Sequence, residues 1–136
     1  VGCQATGAAP FVGGSPIQNP ETIATAIRIG NPQSWKLAHE ARVQSGGWFT
    51  PCEDSEILSA QKFLAQREGI FCEPASAASV AGLIKALSAG HIPDGKSVVC
   101  TLTGHGLKDP DVAISQCPAP VRVAPTVDAV RAAILR

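Results

Sequence analysis

Ser97-Val-Val-Cys-Thr-Leu-Thr-Gly-His-Gly-Leu-Lys-Asp-Pro110 carries the clearest strand signal in this chain. Val98–Thr103 runs without a charge and stops at Gly104 and Gly106, the pattern of a fully buried strand ending in a tight turn. In parallel α/β sheets, ligands sit beyond the carboxyl ends of the strands, which puts Thr103 and Gly104–Gly106 where chemistry is expected. Three readings compete. One is a buried strand and an ordinary turn. The second is the Thr103 hydroxyl presented to a bound ring or phosphate, with Gly104 letting the backbone approach the ligand. The third, a nucleotide phosphate loop, fails because its Gly-Lys-Ser/Thr ending is missing.

The residues on either side of this stretch supply further strands and helices. Val1–Val12 reads as the end of a buried strand running into a close-packed turn or short helix, and Gly13-Gly14-Ser15-Pro16 and Asn19-Pro20 as loop. Thr22–Ile29 alternates and is β-branched, which favours an extended segment over a helical start after Pro20-Glu21. Asn31 as cap and Pro32 at the first helical position predict a helix to about Ser45, with Trp35, Ala38, Ala41 and the Arg42 stem on one face. Trp48–Cys52 is a short strand candidate. Glu53, Asp54 and Glu56 open the next helix, whose buried stripe is Ile57, Leu58, Phe63, Leu64 and Ala65 and which Gly69 closes.

Ile70-Phe71-Cys72 is apolar enough for another buried strand. Glu73 follows it, just before a helix opened by Pro74, so its carboxylate points at the same sheet edge as Thr103; a plain helix start is the competing reading. The helix Ala75–Ala89 is rich in Ala and Ser, with Val80, Leu83, Ile84 and Leu87. Its small side chains suit close, central packing. Asp111–Gln116 fits a short helix, Pro118–Pro125 an extended segment, and Thr126 caps a last helix through Leu135 with Val127, Val130, Ala133 and Ile134 on its apolar face. Strands alternating with helices predict an α/β fold, a parallel sheet flanked by helices. About four short strands make a small sheet, which suggests part of a domain.

Composition narrows the function classes. The 136 residues are 45% hydrophobic and 16% charged, with eleven basic and eleven acidic side chains, the balance of a globular chain with one core. No Lys/Arg cluster interleaves with aromatics, so neither nucleic acid nor an anionic membrane is an expected partner. Cys3, Cys52, Cys72, Cys100 and Cys117 form no CxxC, and His39, His91 and His105 lack ligand spacing. Reduced thiols in a cytoplasmic compartment are expected, without a zinc site. The chain begins Val1-Gly-Cys-Gln, with no basic and then apolar leader, and the expectation is a piece of a longer protein.

Glu21-Thr-Ile-Ala-Thr-Ala-Ile-Arg-Ile-Gly-Asn-Pro32, Glu73-Pro-Ala-Ser-Ala-Ala-Ser79 and Thr101-Leu-Thr-Gly-His-Gly-Leu-Lys-Asp-Pro110, in that order and spacing, resemble the threonine synthase family from Gly2 to about Asp111. Cys3 and Thr6 stand where such proteins more often carry other residues. The resemblance implies fold type II (tryptophan synthase β-like) with pyridoxal 5'-phosphate as cofactor, residues 1–136 being the incomplete C-terminal part of the catalytic cofactor-binding domain. It implies a lyase of threonine biosynthesis that turns O-phospho-L-homoserine and water into L-threonine and phosphate. By the same resemblance Thr103 and Gly104 lie at the cofactor's pyridine nitrogen, the Ala26-Ile27 backbone lies along the ring, and Glu73 is nearby.

A neutral threonine leaves that nitrogen largely unprotonated, a shallower electron sink than a carboxylate partner would give. The cofactor-bearing lysine, the main phosphate loop and an asparagine at the phenolic oxygen belong to the family's N-terminal half. None of Lys36, Lys62, Lys85, Lys96 or Lys108 sits in the corresponding motif, so the chain alone is expected to be inactive until it meets that half, and a homodimer is implied by the resemblance alone. The rival readings are a threonine dehydratase or cysteine synthase of the same fold, which typically end this strand in Ser-Gly-Gly, and a ligand-binding domain without chemistry. No Ser/Cys-His-Asp set is visible, and His105 reads as a turn residue rather than a base.

Overall fold

Gly2–Ala5 forms β1, and Phe49–Cys52 forms β2, in the computed structural model, which describes residues 1–135. The two strands pair in parallel, with Gly2 opposite Phe49 and Ala5 opposite Cys52. Parallel neighbours need a long crossover. Here it contains a turn of 3-10 helix at Thr6–Ala8, the short α1 (Pro10–Gly13), a second 3-10 turn at Thr25–Ile27, and α2 (Trp35–Ser45). Thr22–Ile29 is therefore neither an extended segment nor the start of a helix. Asp54 holds it in a tight turn by accepting from the Thr22 hydroxyl at 2.5 Å and from the Ile23 amide at 3.1 Å.

The helix expected from Pro32 begins at Trp35. The Ile17 amide donates to Gly30 at 2.9 Å, and the chain turns through Asn31–Ser34 before the Ser34 carbonyl accepts the first helical bond from Ala38. No α2 residue is fully buried, and Ala41 and Arg42 are exposed. Its inward contacts are aromatic instead: Trp35 and His39 meet the ring of Phe11, which stacks on Phe49 with 4.8 Å between centroids.

Helix α3 spans Asp54–Phe63 and continues through one wider turn, Leu64–Glu68, to Gly69. Glu56 accepts from the Glu53 amide at 2.7 Å, half of a capping box. Ile57, Ala60, Gln61 and Leu64 are its buried face, spaced i, i+3, i+4 and i+7; Phe63 and Ala65, expected in that stripe, fall to either side of Leu64 and are exposed. Helix α4 (Pro74–Ser88) is the central element. Ser76, Ala77, Ala78, Ala81 and Gly82 face inward, and the Cys3 sulfur occupies the place a Gly82 Cβ would take. Small residues thus bring α4 onto the strands, while Ile84 and Leu87 are left exposed. The core joins α4 to α3, β1 and β2 through Ala5, Ala24, Cys52, Ile57 and Ala77.

Val98–Thr103, expected as a buried strand, is not one. It has no ladder partner among the described residues, and Val99 is 91% exposed. Ile70–Cys72 contributes only an isolated antiparallel bridge, Cys72 to His105. Hydrogen bonding to a neighbouring strand is what makes such runs strands, and these residues have too little of it. The chain ends with a 3-10 turn at Gly106–Lys108, α5 (Pro110–Ser115) and α6 (Val127–Ile134), where the Thr126 hydroxyl accepts from Ala129 as a cap at 3.3 Å. The apolar face of α6 is open, with Val127 and Ile134 exposed. No helix among the described residues is long and apolar enough to cross a membrane.

Candidate functional site

The segment before α4 and the loop after Val98–Thr103 lie side by side. The Glu73 amide donates to the Gly104 carbonyl at 3.0 Å, and the Gly106 amide to the Phe71 carbonyl at 3.1 Å. This short antiparallel pairing brings Glu73, Thr103 and Gly104 together, without the sheet edge expected from their apolar runs. Glu73 is 6% exposed, and its carboxylate fills the place a Cβ on Gly104 would occupy. Glycine is required there by the close approach, since the backbone angle is ordinary.

Thr103 stands at the open side of this junction, exposed, with its Oγ1 3.1 Å from the Ser76 Oγ. Ser76, 1% exposed, also accepts from the Gly104 amide at 2.7 Å and lies 3.2 Å from the Gly104 carbonyl. A buried hydroxyl on the first turn of α4 thus fixes both residues. Sequence reasoning misses it: Ser76 is one small residue in an Ala/Ser helix, and its partners lie 27 and 28 positions away. The available signal is a serine three residues after Glu73, on the turn opened by Pro74.

Ala26 and Ile27 lie in the second 3-10 turn, Ala26 exposed and Ile27 packed against the core. The turn is tied to the same loop by Thr25, whose hydroxyl donates to Asp109 at 2.8 Å. Ile27 also lines a cleft of about 250 Å³ with Cys3, Gln4, Phe11 and Phe49. On the other side, the Gln61 amide donates to the Cys72 carbonyl at 2.8 Å and accepts from Gln116 at 2.8 Å, holding α3 and α5 to the Glu73 segment. Thr25, Asp109 and Gln61 likewise escape a sequence reading, their partners being distant. His105 is engaged as a turn residue: its Nδ1 accepts from the Leu107 amide at 3.2 Å.

The titration shifts fall on four cysteines, of which Cys72 adjoins this junction. Cys3 is lowered to about 7, chiefly by a hydrogen bond with Cys52, against the opposing effect of burial. The same bond, with burial, drives Cys52 far upward. Burial also raises Cys72 and Cys100.

An exposed hydroxyl with a buried hydroxyl behind it, beside a glycine, is chemically suited to give a neutral hydrogen bond to a pyridine-type nitrogen. Threonine synthase of Mycobacterium tuberculosis H37Rv is 57% identical over 127 residues, 92% of this chain and 35% of its own length. That of Synechocystis is 59% identical over 114 residues, 84% of this chain and 29% of its own length. That of Methanocaldococcus jannaschii is 51% identical over 130 residues, 90% and 32% of the two chains. The chain thus spans about a third of the length of these curated relatives. The solved threonine deaminase of T.th. shares its fold, with a TM-score of 0.53 and 18% identity over 65% of this chain and 31% of that one. The architecture is therefore part of fold type II, an α/β arrangement of parallel strands and helices. Residues 1–104, which run from β1 to Gly104 and include the whole junction of Glu73 with Thr103, match the family described as pyridoxal-phosphate dependent enzyme, and the chain belongs to that family.

Proposed function

We propose that residues 1–136 are the C-terminal part of the catalytic domain of a threonine synthase, a lyase that converts O-phospho-L-homoserine and water into L-threonine and phosphate. The observation that carries this reading is the Thr103 hydroxyl, exposed at the end of its run and backed by Ser76, in a chain 51% or more identical to threonine synthases. Pyridoxal phosphate, when bound, supplies the electron sink that lets a substrate proton leave and a phosphate be expelled.

The residues of this chain have distinct parts in that reading. Thr103 donates to the ring nitrogen and keeps its own proton at Oγ1, because an alcohol is too weak an acid to protonate a pyridine. Gly104 lets the backbone come close. Glu73, buried against Gly104, sets the spacing between the start of α4 and the ring. The Ala26-Ile27 backbone lies along the ring, at a height fixed by the bond from Thr25 to Asp109.

The cofactor-bearing lysine belongs to the remainder of the longer protein, which is the principal partner of this chain, so the chain by itself is inactive. Lys85 is engaged with the Pro51 carbonyl at 2.9 Å and Glu56 at 3.3 Å, and Lys36 pairs with Glu40 on α2. A cytoplasmic homodimer completes the proposal.

The test joins this chain to the N-terminal two thirds of the Mycobacterium tuberculosis relative and supplies O-phospho-L-homoserine. Threonine and phosphate in equal amounts are expected. A joined protein that loads the cofactor yet makes only 2-oxobutyrate from threonine, or cysteine from an activated serine and sulfide, would overturn the assignment. With the 136-residue chain alone, pyridoxal phosphate and borohydride should leave no stoichiometric adduct on any one lysine.

A further inference from the structure

We propose that Ser76 is the positioning residue that turns the Thr103 hydroxyl outward as a hydrogen-bond donor, an inference that rests on the reading of Thr103 as the partner of the ring nitrogen. A serine hydroxyl has one proton to give and two lone pairs to receive with. The Gly104 amide can only donate, and at 2.7 Å it takes one of the Ser76 lone pairs. The Ser76 proton then has two acceptors in reach, Thr103 Oγ1 at 3.1 Å and the Gly104 carbonyl at 3.2 Å. That carbonyl has two lone pairs, of which the Glu73 amide takes one at 3.0 Å, so it can receive the Ser76 proton or do without it, whereas Thr103 Oγ1 has no other partner among the described residues. With an unprotonated nitrogen outside, Thr103 gives its own proton to that nitrogen, and the 3.1 Å contact is then a hydrogen bond only when the Ser76 proton goes to Thr103.

The consequence is directional. With a lone pair taken by Ser76, Thr103 sends its own proton away from the core, into the open side of the junction. The chain of donors runs from the Gly104 amide to Ser76, from Ser76 to Thr103, and from Thr103 to whatever acceptor stands outside. An unprotonated pyridine nitrogen is such an acceptor. Were the Ser76 proton on the Gly104 carbonyl instead, Thr103 would turn its proton inward and offer only lone pairs, which repel an unprotonated nitrogen. Ser76 thus acts through Thr103, and because it is 1% exposed it has no contact with a ligand of its own.

Two measurements test this. In the 136-residue chain, side-chain couplings report the Thr103 rotamer and amide exchange reports Gly104. Ser76→Ala should average the rotamer and speed Gly104 exchange about tenfold, and Ser76→Thr should restore both. In the chain joined to the N-terminal two thirds of the Mycobacterium tuberculosis relative, pyridoxal phosphate labelled with nitrogen-15 reports the ring nitrogen directly. Ser76→Ala should move that resonance toward the value of a nitrogen without a hydrogen bond, and Ser76→Thr should return it.

An unchanged Thr103 rotamer in Ser76→Ala, or an unchanged ring resonance in a loaded protein that has merely lost stability, overturns the proposal. Thr103→Val separates this failure from that of the underlying reading. If Thr103→Val moves the resonance and Ser76→Ala does not, only the role of Ser76 falls; if Thr103→Val leaves it in place, the assignment of Thr103 falls as well.

Discussion

Thr25 donates its hydroxyl proton to the Asp109 carboxylate at 2.8 Å, across 84 positions of sequence, and so fastens the Thr25–Ile27 turn to the loop that leaves Thr103. The bond is exposed, so its worth lies in alignment more than in stability.

Thr25→Val should accordingly cost only about 0.5–1 kcal/mol in chemical denaturation. Amide exchange at Ile27 and Lys108 should rise together, since both turns lose the same tether. Asp109→Asn, which still offers an acceptor, should keep most of the protection; equal loss in the two variants would show that charge, and not the bond from Thr25, holds the loop.

Gly7→Ala should be far costlier. A Cβ there would fall on the Glu21 carbonyl, and the Glu21 amide donates to the Gly7 carbonyl at 3.0 Å, so two backbone segments would have to separate. A loss of about 3 kcal/mol is expected from overpacking of this kind. Gly13→Ala, where a Cβ meets nothing within 4 Å, is the control and should be nearly neutral by thermal unfolding.

Cys3 and Cys52 titrate as a pair, and the sign of their effect changes with pH. Cys3 loses its proton at about 7, below its ordinary value of 9.0, while Cys52 holds its proton far above it. Between pH 7 and 9 the folded chain has released one proton that the unfolded chain still holds, so stability rises with pH; above 9 the unfolded chain has released both and the folded chain one, so stability falls. Maximum stability near pH 9 is the expected contribution of this pair. Iodoacetamide should label Cys3 with half-maximal rate near pH 7, and Cys52→Ala should move that midpoint up toward the ordinary thiol range.

Thr103→Asp changes the chemistry in a cofactor-loaded enzyme. A carboxylate holds a pyridine nitrogen protonated and deepens the electron sink, so product analysis should show transamination in place of threonine, or no turnover. Unchanged rate and product partition would remove Thr103 from the ring nitrogen.

Local chemistry is readable in the sequence where both partners are neighbours. Glu53 with Glu56, Gly69 after α3 and Thr126 before α6 each end a helix through bonds within a few residues, and the candidate Trp48–Cys52 differs from β2 only at its first residue. Glu73 and Gly104 meet through an isolated antiparallel pairing, although neither apolar run before them is a strand of the sheet. What stays hidden depends on distant partners. Val98–Thr103 has a strand's composition without the neighbour that makes a strand. In α4 periodicity favours the large residues, yet Ile84 and Leu87 are exposed, since closeness to β1 selects Gly82 and the alanines for the inner face. Ser76 is invisible because one hydroxyl in a small-residue helix gives no pattern.

The parallel pairing of Gly2–Ala5 with Phe49–Cys52 also sets an order of events for the growing polypeptide. β1 leaves the ribosome before β2, so this pairing waits until the whole crossover has emerged, and the entropy of closing that long loop must be met before the pairing gives anything back. Helices α3 and α4, adjacent in sequence and packed on one another through Ile57, Ala60 and Ala77, associate at a smaller entropic cost and offer β2 a surface. Of these four elements β1 is thus the last to join the others.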